Sequence, residues 1–278
     1  MKNEKQKELN VFAKQIQMET MKAIAHLGVG HVGGSLSIAH LLSVLYGKEL
    51  QYDSKNPKWE DRDWLVVSKG HAGPAVYSAL ALKGFMPMED LKTLNRPGTH
   101  LPSHCDMNLT TGIDMTTGSL GQGSSTAAGV ALSMKMDGKN NYTYLVLGDG
   151  EIDEGQVWEM ALFAAHRNLD NLIAFVDYNK VQLDGTTDQI CCLGDIAAKF
   201  AAFGWYAQSI DGHDVAAIDE AILNAKNNTG KPSMIVLNTQ KGNGWSKIAG
   251  TATCHNITLN EEQLQDALSE MQAAIDNY

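Results

Sequence analysis

The 278-residue chain has only four cysteines, Cys105, Cys191, Cys192 and Cys254, and no CxxC pair among them. That spacing excludes the usual zinc modules and a disulfide framework. Adjacent Cys191 and Cys192 are poorly placed to bond to each other, so reduced thiols are expected. Basic residues are outnumbered, 22 Lys and Arg against 32 Asp and Glu, giving a net charge of −10 with no long basic run. This balance excludes a protein that tracks a nucleic-acid backbone. It leaves small anionic substrates open, because a few local groups suffice to hold them. No apolar stretch approaches the roughly 18 residues that span a bilayer. Residues 1–10 are charged and no apolar segment follows them, so no secretory signal is expected and the cytoplasm is the expected location. The sequons at Asn108, Asn141, Asn227 and Asn256 are then chance matches. Internal repeats and a dividing linker are also missing, which favours one domain over residues 1–278. An apolar fraction of 44% with 19% charged residues is ordinary for a folded chain and excludes disorder.

What is present is an alternating rhythm. An amphipathic helix is expected over 5–27, then a glycine-rich turn at 28–34. Ser35 or Ser37 is expected to cap a second helix over 38–46. A strand at 64–67 leads into a helix opened by Gly73-Pro74 and running through Leu82. Residues 96–123 show little periodicity, and such a stretch inside a compact domain is usually functional. A helix over 124–136 follows. Strands are expected at 144–147, 172–176, 205–209 and 233–237, with helices at 156–167, 196–203, 215–226 and 261–277. This alternation predicts an α/β fold, a parallel sheet with helices on both faces.

Ligands of such sheets bind beyond the carboxyl ends of the strands. Gly148-Asp149-Gly150 follows one expected strand, and Asn179 follows the next. Neighbouring parallel strands bring Asp149 and Asn179 to one edge, and paired oxygen ligands suit Mg²⁺ or Ca²⁺. The glycines let a phosphate approach the backbone. A helix starting near Gly155 is expected to offer free N–H groups to an anion. Together these parts form a site for a metal-bridged diphosphate.

The segment from GDG at 148–150 to Asn179 resembles the thiamine-diphosphate motif, and the wider chain resembles the transketolases. The resemblance is carried by GHVGGSLS (30–37), SKGHA (68–72), SHCDMN (103–108), TTGSLGQG (116–123), GDGEIDEGQVWE (148–159), DYNKVQLDG (177–185) and DGHD (211–214). It implies the diphosphate-binding (PP) domain of such an enzyme. Asp149, Asn179 and the backbone carbonyl of Val181 are implied as metal ligands. Gly148 and Gly150 belong to the implied diphosphate site, and Gly118 and Leu120 to contacts with the aminopyrimidine or diphosphate. His31, His71, His104 and His255 are implied to line the substrate channel, with His71 and His255 also near the diphosphate. Glu154 and Glu159, read as lying on one early helix, are implied members of a carboxylate network between active sites. His26, His40 and His166 are expected to be structural, and His100 and His213 are left open. Three departures lie around the implied channel: Val32 where the family often has proline, Ser103-His104-Cys105 for Gly-His-Pro, and Asn256 for glycine. They point to an unusual sugar or to neutral drift.

The resemblance also implies what must come from elsewhere. A pyrimidine-binding domain and a C-terminal domain have no counterpart in this chain, nor has the glutamate that activates the cofactor. A companion subunit and an α2β2 heterotetramer are therefore expected. The expected reaction is transfer of a two-carbon ketol unit from a ketose phosphate to an aldose phosphate, with thiamine diphosphate and Mg²⁺ (or Ca²⁺). The alternatives are a relative specialised for a sulfo- or branched sugar, a deoxyxylulose-phosphate synthase-like enzyme, and a non-catalytic scaffold.

Overall fold

The five strands that build the main sheet are short and apolar, and almost every residue in four of them is buried. In the computed structural model, which describes residues 2–183 and 185–278, they are β1 (Trp64–Val67), β2 (Thr143–Gly148), β3 (Leu172–Tyr178), β4 (Tyr206–Asp211) and β5 (Ser233–Asn238). They pair in the order β1-β2-β3-β5-β4, all parallel. The edge strand β4 is the partly exposed one. Met1, and Asp184 of the DYNKVQLDG segment, lie outside the described residues.

Successive side chains of a strand point to opposite faces, and the two faces carry separate cores. Tyr144, Val146, Ile173, Phe175 and Ile235 pack on one side, against Ile16 and Ile24 of the helix Lys2–Leu27, Val76 of Gly73–Leu82, Ile218 of Val215–Asn227 and Met271 of Glu261–Asp276. Leu145, Leu147, Ala174, Val176 and Met234 pack on the other, against Ala127 of Gln122–Met136, Met160 of Gly155–His166 and Phe200 of Ile196–Ala202. The expected parallel sheet with helices on both faces is what the chain forms. Among the described residues no helix is long and apolar enough to cross a membrane.

Local signals explain most boundaries. Pro74 sits in the first turn of its helix, where its missing N–H costs nothing. Asp195, Asp214 and Asn260 cap their helices through backbone N–H groups two or three residues on. The expected helix over 38–46 is instead a broken run: Gly33–Leu36, Ala39–Val44 and a π-turn at Leu45–Glu49. Neither serine caps it. Ser35 Oγ donates back to the His31 carbonyl and Ser37 Oγ donates to Asp177 at 2.7 Å, so both hydroxyls are used elsewhere. Two short antiparallel pairs complete the fold, Val29–Gly30 with Ile257–Thr258 and Val181–Gln182 with Gly185–Thr186. All four cysteines are free, Cys105 and Cys254 buried, Cys191 and Cys192 exposed.

Candidate functional site

In the parallel register of β2 and β3, Gly148 lies opposite Asp177. Asp149 and Asn179 therefore leave neighbouring strands at the same edge, as the strand reading required. Both line a recess of about 80 Å³, shared with Gly34, Lys69, His71, Leu120, Gly150, Val181, Lys241 and His255. Asp149 is 3% exposed. Its two oxygens accept from Gly150 N at 2.9 Å and Lys180 N at 2.7 Å. Burial, reinforced by the charge of Asp177, pushes its carboxyl up to about 7. Asn179 turns its amide nitrogen to Asp177 at 3.0 Å, leaving its oxygen on the Val181 N–H side at 3.2 Å. The Val181 carbonyl accepts from Lys241 Nζ at 3.1 Å. A carboxylate, an amide oxygen and a carbonyl form an all-oxygen set suited to a hard divalent cation, and Asp149, a buried carboxyl in no ion pair among the described residues, is the kind of group such an ion would satisfy.

Behind this edge lies a buried ion pair. Lys69 Nζ stands 2.6 Å from Asp177 Oδ2 and donates to the Gly34 carbonyl at 2.8 Å. Asp177 also accepts from Ser37, Asn179 and Thr239. Burial alone would raise its carboxyl, but the Lys69 charge and these donors outweigh burial and hold it below the usual range. A second carboxylate, Glu151, accepts from Ser68 Oγ, Gly121 N (2.9 Å) and Gly148 N (3.0 Å). It thereby ties the SKGHA, TTGSLGQG and GDG segments together. Those loops touch backbone to backbone: a Cβ on Gly70 would come within 2.9 Å of Gly118 N and of the Thr117 carbonyl.

The four histidines singled out from motifs meet at one place. The His31 ring lies 5.3 Å from His255, 5.5 Å from His71 and 5.7 Å from His104, and His71 lies 5.2 Å from His255. Burial keeps the proton off all four rings, and neighbouring positive charge adds to it at His31, His71 and His255. His31 and His104 are held below the ordinary imidazole range, His71 well below it, and His255 is pushed down to about 4 by burial, Lys241, His31 and Lys69. The Nδ1 atom of His255 is buried without a hydrogen-bond partner among the described residues. Such a polar atom is open to a ligand or to an ordered water.

Held-down imidazoles make stability depend on pH. The unfolded chain takes up a proton on His255 near pH 6.5, whereas the folded chain does so only near 4. Between these values the unfolded state binds more protons, so stability falls as pH drops through the window. The expected result is a thermal midpoint that declines from pH 6.5 to 4, with a shallower decline in His255→Asn. Equal slopes for the two proteins in a thermal scan series would refute it.

Other expected residues fall differently. Gly118 packs against His104, and Leu120 is exposed at the mouth of the recess. Glu154 is not on a helix; it is the extended residue that precedes Gly155–His166, while Glu159 lies within that helix, and both are exposed. The helix N-terminus at Gly155 does not line the recess, because a 3-10 turn, Gly150–Asp153, separates it from Asp149. His26 and His166 lie on their helices with access to solvent. His40 is buried, its Nδ1 3.3 Å from that of His213, whose Nε2 accepts from Gln240 N at 2.8 Å. His100 is bonded to Asp90 at 3.1 Å. Lys69, Asp177, Glu151 and Lys241 are not singled out by the sequence. Lys69 lies inside SKGHA and Lys241 just beyond β5 at the same sheet edge, and those positions are the available signals. A larger groove of about 790 Å³ beside Arg62, Met107 and Asp114 contains none of the expected site residues.

The family described as transketolase, thiamine diphosphate binding domain, matches residues 9–273. The 6-deoxy-6-sulfo-D-fructose transketolase subunit SqwG of Clostridium sp. (strain MSTE9) is 55% identical over 97% of this chain and 98% of that protein. An apulose-4-phosphate transketolase subunit from Phocaeicola vulgatus is 35% identical over 89% of this chain and 88% of that protein. The transketolase structure from Leishmania mexicana superposes with a TM-score of 0.87 at 30% identity, covering 97% of this chain but 44% of that one. The chain thus spans less than half of that longer transketolase and most of the two relatives named as subunits. With that family matching almost its whole length, the chain belongs to the transketolase family, as its thiamine diphosphate binding domain.

Proposed function

We propose that the chain is the diphosphate-binding subunit of a two-chain transketolase, moving a two-carbon ketol unit from a ketose to an aldose with 6-deoxy-6-sulfo-D-fructose as donor. The observation that carries the reaction is the gathering of four neutral imidazoles, two of which, His71 and His255, line the recess at the Asp149–Asn179 edge. The donor is taken from the 55% identity to a subunit named for that sugar. On this reading residues 1–278 form one diphosphate-binding domain, and a companion chain brings the pyrimidine-binding domain in an α2β2 assembly in the cytoplasm.

The residues present fit the cofactor. Asp149, Asn179 and the Val181 carbonyl would hold a divalent metal, Mg²⁺ or Ca²⁺. Gly148 and Gly150 would let the diphosphate approach the backbone, His71 and His255 would bond to it, and Lys241 would offset part of its charge. Gly118 and Leu120 flank the recess mouth. Thiamine diphosphate, when bound, supplies the nucleophile and electron sink for carbon–carbon cleavage. The chain's own part is proton handling and orientation. His31, His104 and His255 are neutral near pH 7, so each ring can accept a hydroxyl proton at one nitrogen and donate at the other. Glu154 and Glu159 are exposed on this chain and would join a carboxylate network that links the two active sites across the interface.

The test is ketol transfer to ribose 5-phosphate, with thiamine diphosphate and Mg²⁺, by this chain alone and with its co-expressed companion. Sedoheptulose 7-phosphate from the sulfo-sugar, formed only by the pair, is the expected result. Product only from xylulose 5-phosphate would overturn the donor. Turnover by the single chain would overturn the two-chain reading, and cofactor binding with no transfer from either donor would leave a scaffold.

A further inference from the structure

The histidine cluster borders two spaces, His71 and His255 lining one and His31 the other. On one side is the recess with Asp149, Lys69, His71 and His255. On the other is a small cleft, again about 80 Å³, where His31 meets Asn95, Ser103 and Asn256 over an apolar floor that includes Pro74 and Leu94. Its arrangement follows from the short pair of Val29–Gly30 with Ile257–Thr258. Gly30 stands opposite Ile257, so antiparallel pairing sets His31 beside Asn256. Asn95 is fixed from below, its N–H donating to the Leu101 carbonyl at 2.8 Å with φ at +52°. Ser103 directly precedes His104 of the cluster.

Two features of the cleft bear on what it takes. The side chains of Asn95, Ser103 and Asn256 make no hydrogen bond among the described residues, so their donors are free for a ligand. None of the residues lining the cleft is Lys, Arg, Asp or Glu. A phosphate monoester carries about −1.5 to −2 charge at neutral pH and is best met by cationic donors. A sulfonate carries a single charge and is less costly to desolvate. Neutral amide and hydroxyl donors are a sufficient match for it.

Resting on the transketolase reading above, we infer that Ser103, Asn95 and Asn256 recognise the end of the donor ketose remote from the cleaved bond, and that this cleft favours a singly charged sulfonate over a phosphate. A ketose whose reacting carbons lie at the recess side of the four rings extends its far end past His31 into this space. Ser103 and Asn256 are specificity-determining residues, and Asn95 completes the donor set.

The experiment uses the assembled pair of chains, wild type and a Ser103→Ala/Asn256→Gly double variant. The donors are 6-deoxy-6-sulfo-D-fructose and fructose 6-phosphate, and ribose 5-phosphate is the common acceptor. Loss of a hydrogen bond to a charged group corresponds to about tenfold in binding. The expected result is a KM for the sulfo-sugar raised about tenfold or more. The KM for fructose 6-phosphate should move much less, and kcat less than KM. Calorimetric affinity for thiamine diphosphate with Mg²⁺ should match wild type and shows that the variant is folded. An unchanged sulfo-sugar KM, or an equal rise for both donors, overturns the inference. So does a wild-type pair that uses only phosphate-ended donors, although the transketolase reading then stands. A wild-type pair that binds cofactor and transfers from neither donor overturns both.

Discussion

Replacing Asp149 with alanine is expected to weaken metal-dependent binding of thiamine diphosphate by about 100-fold or more, since even outer partners of a metal site are worth 10–100-fold. Asp149 is the first residue past β2, buried, with both oxygens held by backbone N–H groups on Gly150 and Lys180. Its carboxyl is thus oriented before any cation arrives. Alanine removes the only formal negative charge from the proposed ligand set of Asp149, Asn179 and the Val181 carbonyl. Asp149→Asn separates charge from shape, because an amide oxygen can still accept one of the two backbone bonds. Titration calorimetry with thiamine diphosphate, with and without Mg²⁺, should show the metal-dependent part lost in the alanine variant and strongly reduced in the asparagine variant. Wild-type affinity in both, with unchanged circular dichroism, would sink the metal-ligand assignment.

The second large effect is on stability. Lys69 and Asp177 are 1% and 0% exposed and 2.6 Å apart. Removing one partner of a buried pair leaves an uncompensated charge, at a cost of about 3–5 kcal/mol. Lys69→Met should therefore lower the thermal midpoint by roughly 10 °C in a chain of this size. The loss should also appear as a lower urea midpoint at nearly constant m-value. In Lys69→Met/Asp177→Leu no lone charge remains, and the double variant should be more stable than the sum of the single losses. Ser37, Asn179 and Thr239 lose their acceptor there, so recovery is expected to be partial. Strict additivity of the two substitutions would mean that the pair is not coupled.

The sheet was legible because its strands announce themselves locally. TYLVLG and LIAFVDY are short apolar runs closed by glycine or by polar residues, which is how strands buried on both faces read. The Asp149–Asn179 edge followed from that framing, and the four-histidine cluster from motif likeness. Other features had no local signature. The pairing of Val29–Gly30 with Ile257–Thr258 joins two-residue segments at opposite ends of the chain, and no periodicity foretells it. Ser35 and Ser37 resemble caps because a serine before a helix has two uses, and the tertiary partner decides between them. Lys69 and Lys241 carry only a positional signal, because what gives them meaning, Asp177 and the Val181 carbonyl, lies 108 and 60 positions away. The anion site expected at Gly155 fails over four residues of tight turn that composition does not reveal.

Glu151 has a bearing on how the cofactor is received. One carboxylate gathers donors from three separate loops, Ser68, Gly121 and Gly148, and is itself 2% exposed. The loops are held in place by folding, before a ligand is present. A flexible site would lose backbone freedom at the moment of binding, on the order of 1–2 kcal/mol for each residue newly fixed. Here that ordering belongs to the folding transition instead. The affinity of the chain for thiamine diphosphate then reflects its contacts, with little subtracted for closing the loops around them.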